Sequence, residues 1–470
     1  MENEEESKRL HGDASNLEKS VAKLTDNASA LGEEVAKTKV QNTIQMPQND
    51  PALEAFDQLR VREVRATYRH NASAFLAEFQ SIAANLQPDE KIELKMTAAR
   101  ENTKLLKAVL SDPQANKICS LQWDYRGEED VKSIIPLLIN SCPELASLEM
   151  DFKGFSKGFS SFDFVSSLLE HPSNKIKELD ISPNTKGDLA RFFAALGQSQ
   201  VSALALYYSP EVAQGLFEYL VRDLLVRLKV WTNFEPVPLE LMVSLADCTR
   251  LAKLEMVQCE FSQPTAFTHL PKSITKLELE SCTFVGGLDW SFLAGSNVRE
   301  LDLYNAKGVD GNQLGSALAD YLRAKGLDKL RFFNCTFINK TLVVVGAELG
   351  RIKTLEMCSD LSDASIALIA LALQSPNSEV KELMLPYGDI ASSIETHLVP
   401  VLKHPNCNLV KLSFRAYEPE HEEAAKRVED MFYNRLALFT LLQGRQVRRQ
   451  YCPLRRLPVE MFRLAGAVLI

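Results

Sequence analysis

Three apolar positions in fixed register recur along most of this chain. In IKELDISPN (176–184) they fall at the first, fourth and sixth places, and the stretch ends on Asn184. LAKLEMVQC (251–259), ITKLELESC (274–282) and LDKLRFFNC (327–335) repeat the arrangement and end on cysteine. With the fourth place as marker, twelve leucines carry the pattern: Leu121, Leu148, Leu179, Leu204, Leu228, Leu254, Leu277, Leu301, Leu330, Leu355, Leu383 and Leu412. Their spacings run from 23 to 31 residues. An L-x-L alternation predicts a short strand with its leucines inward and the residues between them facing solvent. A thirteenth, imperfect strand is predicted at Ile92–Met96. DVKSIIPLLINS (130–141), SFDFVSSLLEH (161–171), GDLARFFAALG (187–197) and DASIALIALALQS (363–375) have helical spacing and predict return helices. The two shortest repeats return through FSQPTAFTHLPKS (261–273) and FVGGLDWSFLAGS (284–296). Their Pro and Gly predict no regular helix and a locally flattened arc.

Outside the repeats the periodicity changes. Leu10, Ala14, Leu17, Val21, Leu24, Ala28, Leu31 and Val35 alternate at steps of four and three, a heptad seam that predicts a coiled coil or amphipathic helical arm over residues 1–45. This arm raises the expectation of a homodimer through residues 10–38. MPQNDP (46–51) reads as a linker. Leu53, Phe56, Leu59, Val61, Val64, Tyr68, Phe75, Leu76, Phe79, Ile82 and Leu86 recur near helical spacing, so residues 52–89 are expected to form a helical N-terminal cap. EPEHEEAAKRVEDMFYNRLALFTLLQG (418–444) reads as an amphipathic helix within a C-terminal cap and basic tail over 418–470.

The nonapeptides fit L-x-x-L-x-L-x-x-N/C, the consensus of leucine-rich repeats. Over residues 90–417 the chain resembles the leucine-rich-repeat proteins, within them the long-period type seen in ribonuclease inhibitor. The resemblance implies an α/β solenoid with parallel strands on the concave face and mostly helices on the convex face. It also implies that the terminal residue of each motif, among them Asn184, Asn233, Cys259, Cys282 and Cys335, turns inward to satisfy backbone groups at the bend.

The strand register orders the outward side chains into columns. Directly after the central leucines stand Gln122, Glu149, Asp180, Ala205, Lys229, Glu255, Glu278, Asp302, Arg331, Glu356, Met384 and Ser413, a mostly acidic series. Two residues further on stand Asp124, Asp151, Ser182, Tyr207, Trp231, Val257, Glu280, Tyr304, Phe333, Cys358, Pro386 and Arg415, with four aromatics in the middle. Aromatic anchors dominate the energetics of protein interfaces. Tyr207, Trp231, Tyr304 and Phe333 are therefore the candidate hot spot, with Glu255, Glu278 and Asp302 steering a partner with a basic surface. Arg227, Lys253, Lys276, Lys329 and Lys411, just before the central leucines, are placed to neutralise part of that acidity.

Composition narrows the function classes. The 470 residues carry a net charge of −9, which argues against nucleic acid as the main ligand. Nine cysteines without a CxxC pair indicate neither a zinc ribbon nor a disulfide framework. No apolar run is long enough to span a bilayer, and MENEEESKRL lacks the features of a signal peptide. The expectation is a cytoplasmic protein, with the nucleus open as well. There is no phosphate loop, GxSxG, HExxH or calcium loop, and the seven histidines are dispersed. No enzyme activity, cofactor or metal is expected.

Two alternatives rest on short stretches. LPVEM (457–461) resembles the opening of an F-box, which implies adaptor binding through Leu457, Pro458 and Met461 and a role as substrate receptor of a ubiquitin ligase. Only nine residues follow Met461, however, and an F-box continues for several helices. This stretch lies in a tail with six arginines (Arg445, Arg448, Arg449, Arg455, Arg456 and Arg463) against one acid, Glu460. Arg126 in WDYRGEED (123–130) follows a strand, where a GTPase-activating leucine-rich-repeat protein holds its working parts. The leading expectation is a protein-binding scaffold that uses the concave face.

Overall fold

The computed structural model describes residues 60–66, 72–87, 90–96, 102–125, 133–152, 161–181, 187–220, 224–388, 390–402, 404, 406–416, 419 and 421–433. The heptad of residues 10–38, the linker, Asn184, Arg126 and the tail with Leu457, Pro458 and Met461 lie outside the described residues. One compact unit spans Asp50–Asp360, and a second takes in the described residues from Leu361 onward.

In the first unit, twelve strands form a wholly parallel ladder in chain order: β1 (Arg60–Ala66), β2 (Glu90–Met96), β3 (Ile118–Tyr125), β4 (Ser147–Phe152), β5 (Glu178–Ile181), β6 (Ala203–Tyr207), β7 (Arg227–Trp231), β8 (Lys253–Val257), β10 (Lys276–Glu280), β12 (Glu300–Tyr304), β13 (Leu327–Phe333) and β14 (Ile352–Cys358). Two-residue strands β9 (Glu260–Phe261) and β11 (Thr283–Phe284) pair with each other in a second sheet. In the second unit β15 (Glu382–Tyr387) pairs in parallel with β16 (Lys411–Ala416).

The central leucines set the register. From Leu121 to Leu355 each lies opposite the next along the ladder, and each is at most 1% exposed. Leu383 faces Leu412 in the same way. Strand, return and strand again in parallel register, with the consensus leucines as continuous core columns, is the leucine-rich-repeat solenoid. No single repeat could bury its leucines alone; stacking covers them on both sides.

Helices make most returns: Ile134–Ser141, Ser161–Leu169, Leu189–Gln198, Pro210–Leu220, Leu239–Leu245, Gly311–Ala324 and Ile338–Val345. Asp188 caps one of them by accepting the Arg191 backbone N–H at 2.9 Å. Between β8 and β12 the returns shrink to a 3-10 turn, Ala266–His269, and the four-residue helix Phe292–Gly295. There rings fill the core: Phe261 and Phe284 stack at 5.4 Å, with Phe267, Trp290 and Phe292 packed around them.

Two features differ from what the sequence predicts. Residues 60–66 are not helix but a strand paired throughout with Glu90–Met96, so the ladder starts one repeat before Ile92. RVREVRA is rich in charge, as edge strands often are, and its Val61 and Val64, three apart, fit the helical period while lying on opposite faces of a strand. The second difference is Asn233, which is exposed and left-handed (φ 52°) rather than inward. Thr232 takes the inward place, with its hydroxyl 2.8 Å from the carbonyl oxygen of Gln258 and 2.9 Å from that of Glu235. Cys259, Cys282 and Cys335 do turn inward, their thiols within 3.2–3.8 Å of main-chain carbonyls. The residue before each (Gln258, Ser281 and Asn334) is left-handed, which makes the bend. Burial raises the Cys282 and Cys335 thiols above their ordinary pKa, which marks them as core groups. The C-terminal helix covers 421–433 among the described residues.

Candidate functional site on the strand face

The outward columns of the first unit are continuous. Gln122, Glu149, Asp180, Ala205, Lys229, Glu255, Glu278, Asp302, Arg331 and Glu356 stand opposite one another in unbroken register. Tyr207 faces Trp231, followed by Val257, Glu280, Tyr304 and Phe333. All four candidate aromatics therefore lie at the C-terminal ends of their strands, as two adjacent pairs.

The pairs differ in exposure. Tyr304 is 39% exposed and stacks flat on Phe333 at 4.4 Å and 7°, and Phe333 is thereby only 7% exposed. Phe333 thus supports Tyr304 more than it meets solvent. Trp231 and Tyr207 are half-buried, and the Lys229 ammonium sits 4.5 Å from the Trp231 ring centroid. Phe234, 50% exposed at the turn after β7, joins the same edge. It stands outside the repeat columns, so strand register offers no sign of it.

The acidic column is a lattice of ion pairs. Glu255 is 5% exposed and meets Lys253 at 2.7 Å, Arg227 at 2.8 Å and Lys229 at 3.7 Å. Glu278 meets Lys276 at 2.9 Å and Lys253 at 3.2 Å. Lys276 also reaches Glu300 at 3.2 Å and Asp302 at 4.0 Å. Glu356 is held by Lys329 at 2.8 Å and Arg331 at 3.1 Å. Burial alone would raise Glu278, but its hydrogen bond and charge contact with Lys276 bring it down to about 2. Asp302, 5% exposed, moves the other way: burial pushes it up to about 6 against the pull of Lys276 and Lys329. Much of the acidity predicted to steer a partner is thus already spent within the sheet.

Asp180 lies beyond the lattice, with Ala205 separating it from Lys229 in the column. Gln122 donates to Glu149 at 2.8 Å, but no described residue makes an ion pair or hydrogen bond with the Asp180 side chain. Burial, then the neighbouring Glu149 charge, raise its pKa to about 7. A carboxyl group with a folded pKa above its unfolded value favours the folded state only while protonated. Its destabilising share therefore grows as pH rises from about 4 to 7. Asp180→Asn is expected to stabilise the protein by about 1–2 kcal/mol at pH 8, after discounting for solvent at its open edge, and by almost nothing at pH 4. Urea unfolding at the two pH values checks this; equal effects at both would show that Asp180 ionises normally.

Among the described residues no group of three or more His, Cys, Asp or Glu is placed to hold a metal ion, and no helix is long and apolar enough to cross a membrane.

No family model matches this sequence, and no curated protein matches it. Among solved structures, an internalin (inlF) from Listeria monocytogenes is similar over 63% of this chain and 74% of that chain, at 11% identity and a TM-score of 0.29. So distant a superposition carries no argument about function. The fold rests on the leucine register of this chain itself.

Proposed function

We propose that this protein is a binding scaffold whose strand face, at the C-terminal ends of β7 to β13, takes a protein partner. The observation that carries the reading is the Tyr304 ring. It is a large aromatic side chain 39% exposed on a strand and stacked flat on a second ring behind it. Solvated strands have no need of such a group, whereas interface cores are built from rigid aromatics backed by packing. Trp231, fixed by Lys229, provides a second anchor on the same edge. The ion pairs hold long side chains in place between the two anchors, which lowers the entropy lost on docking. Glu255, Glu278 and Asp302 serve this reading as organisers of the face more than as free charges, and a partner with basic character finds Glu280, which is exposed and forms no ion pair among the described residues.

The test compares partners captured by the intact protein with those captured by Trp231→Ala/Tyr304→Ala. The double variant is expected to lose at least about tenfold of a specific partner's binding while keeping its circular dichroism spectrum. Full retention of every specific partner would move the site away from this face. Tyr304 is a better target than Phe333, because removing the buried ring also costs packing.

A further inference from the structure

The spacing and chemistry of the aromatic anchors describe the segment that would dock there. Trp231 on β7 and Tyr304 on β12 are separated by three steps of the ladder, through β8 and β10. At about 4.8 Å per step that is about 14 Å. Between them Val257, 6% exposed, forms a low floor, and Glu280 stands exposed. Glu280 differs from the other carboxylates of this stretch. Glu255, Glu278, Glu300 and Asp302 each have a lysine or arginine within 4.0 Å, whereas among the described residues Glu280 forms no ion pair. The local surface is therefore ring, floor, unpaired carboxylate, ring.

A ligand must bring two apolar groups to one face about 14 Å apart. An α-helix rises about 1.5 Å per residue, so that distance is about nine residues, and nine steps of about 100° put the second group on the opposite side. Returning to the same face takes seven or eleven residues, about 3 Å too short or too long. An extended chain returns to one face every second residue, about 6.7 Å, and its fourth residue lies about 13–14 Å on. The residue midway shares that face and stands over Val257 beside Glu280. A carboxylate left without a cation inside an apolar frame asks for a lysine or arginine there.

We infer that the occupant of this face is an extended segment of another protein, running across the strands, with apolar side chains at two positions four residues apart and a lysine or arginine midway between them. The inference rests on the binding reading above and narrows it to one partner chemistry.

A random nonapeptide phage library panned on the full-length protein tests it. Selected sequences are expected to converge on apolar–x–Lys/Arg–x–apolar. Synthetic peptides of that consensus are expected to bind about tenfold more weakly to Trp231→Ala and to Tyr304→Ala. Glu280→Gln is expected to weaken them about threefold to tenfold, with the loss shrinking at high salt and absent when the central basic residue of the peptide is alanine. Adding one residue between the apolar positions, read on the unaltered protein, is expected to cost as much as removing an anchor. Peptides that need Trp231 and Tyr304 but carry another spacing, or ignore Glu280, would overturn this inference and leave the binding face standing. No selected peptide, or peptides indifferent to all three substitutions, would also overturn this inference, while the binding face itself falls only if the Trp231→Ala/Tyr304→Ala protein keeps every specific partner.

Discussion

Phe284→Ala is expected to cost about 3–5 kcal/mol of stability. The ring is 2% exposed, stacked at 5.4 Å and 13° on Phe261 and edge-on to Trp290 at 6.1 Å. Elsewhere in the ladder a return helix of seven to fourteen residues covers the inward leucines. Between β8 and β12 that cover is a 3-10 turn and a single helical turn, so the aromatic cluster replaces the helix as the second layer of the core. Truncating its central ring leaves a cavity that short, backbone-pinned returns cannot close. The position in the array adds a second signature. Each repeat is stabilised by its neighbours alone, so a weak joint in the middle uncouples the two sides. Urea unfolding followed by circular dichroism is expected to broaden or split, beyond a shift in midpoint. Val285→Ala, next in sequence but 49% exposed, is expected to stay within about 0.5 kcal/mol. A loss below about 1 kcal/mol for Phe284→Ala would mean that the leucines alone hold these repeats together.

The ladder was legible in the sequence because period and register are set by side chains that have one place to go. A leucine at the fourth position must be buried, and a slip by one residue would expose it. That is why Leu121 through Leu355, picked by pattern, are the residues found opposite one another. The helix-poor returns were legible for the opposite reason, since Pro264, Gly286 and Gly287 interrupt any helix. The strand at 60–66 was hidden because Leu59, Val61, Val64 and Tyr68 favour helical spacing over alternation, Val61 and Val64 being three apart. Only pairing with Glu90–Met96 decides between them.

The candidate face was half legible. Register alone predicted which residues share a column, and Tyr207, Trp231, Tyr304 and Phe333 are placed as two neighbouring pairs. Exposure depends on side-chain reach, which register does not contain. Phe333 disappears under Tyr304, and Glu255 disappears under three cations drawn from β7 and β8. The sequence set a column of bases beside a column of acids but could not tell that one lysine would serve three carboxylates. Nor does it separate Glu280 from Glu278: one is exposed and unpaired among the described residues, the other is clamped.

Lys276→Met tests whether that lattice holds the face in shape, and it is expected to cost about 2–3 kcal/mol at pH 7.5. Methionine keeps most of the stem and removes only the charge. Lys276 Nζ is 2.9 Å from Glu278, 3.2 Å from Glu300 and 4.0 Å from Asp302, and the four side chains are between 7% and 26% exposed. Without the ammonium, three partly desolvated carboxylates face one another, with Lys253 left to serve Glu278 and Lys329 lying near Asp302. The sign of the pH dependence follows from the two shifted acids. In the intact protein Glu278 titrates near 2, below its ordinary value, so it adds stability above about pH 4.5 that fades as pH falls. Asp302 titrates near 6, above its ordinary value, so it subtracts stability as pH rises from about 4 to 6. Deleting Lys276 removes the first contribution and enlarges the second. Both are charge effects, and both vanish when the carboxyls are protonated. The deficit of the variant is therefore expected to be largest at neutral pH, to lose its Asp302 share as pH falls through 6 toward 4, and to lose its Glu278 share only as pH falls from about 4.5 toward 2. Lys272→Met, on an exposed lysine without an ion pair among the described residues, is expected to change stability by less than about 0.5 kcal/mol at any of these pH values. A Lys276→Met deficit that stays constant from pH 7.5 down to about 2.5 would assign the loss to packing of the lysine stem and leave the lattice without a structural role.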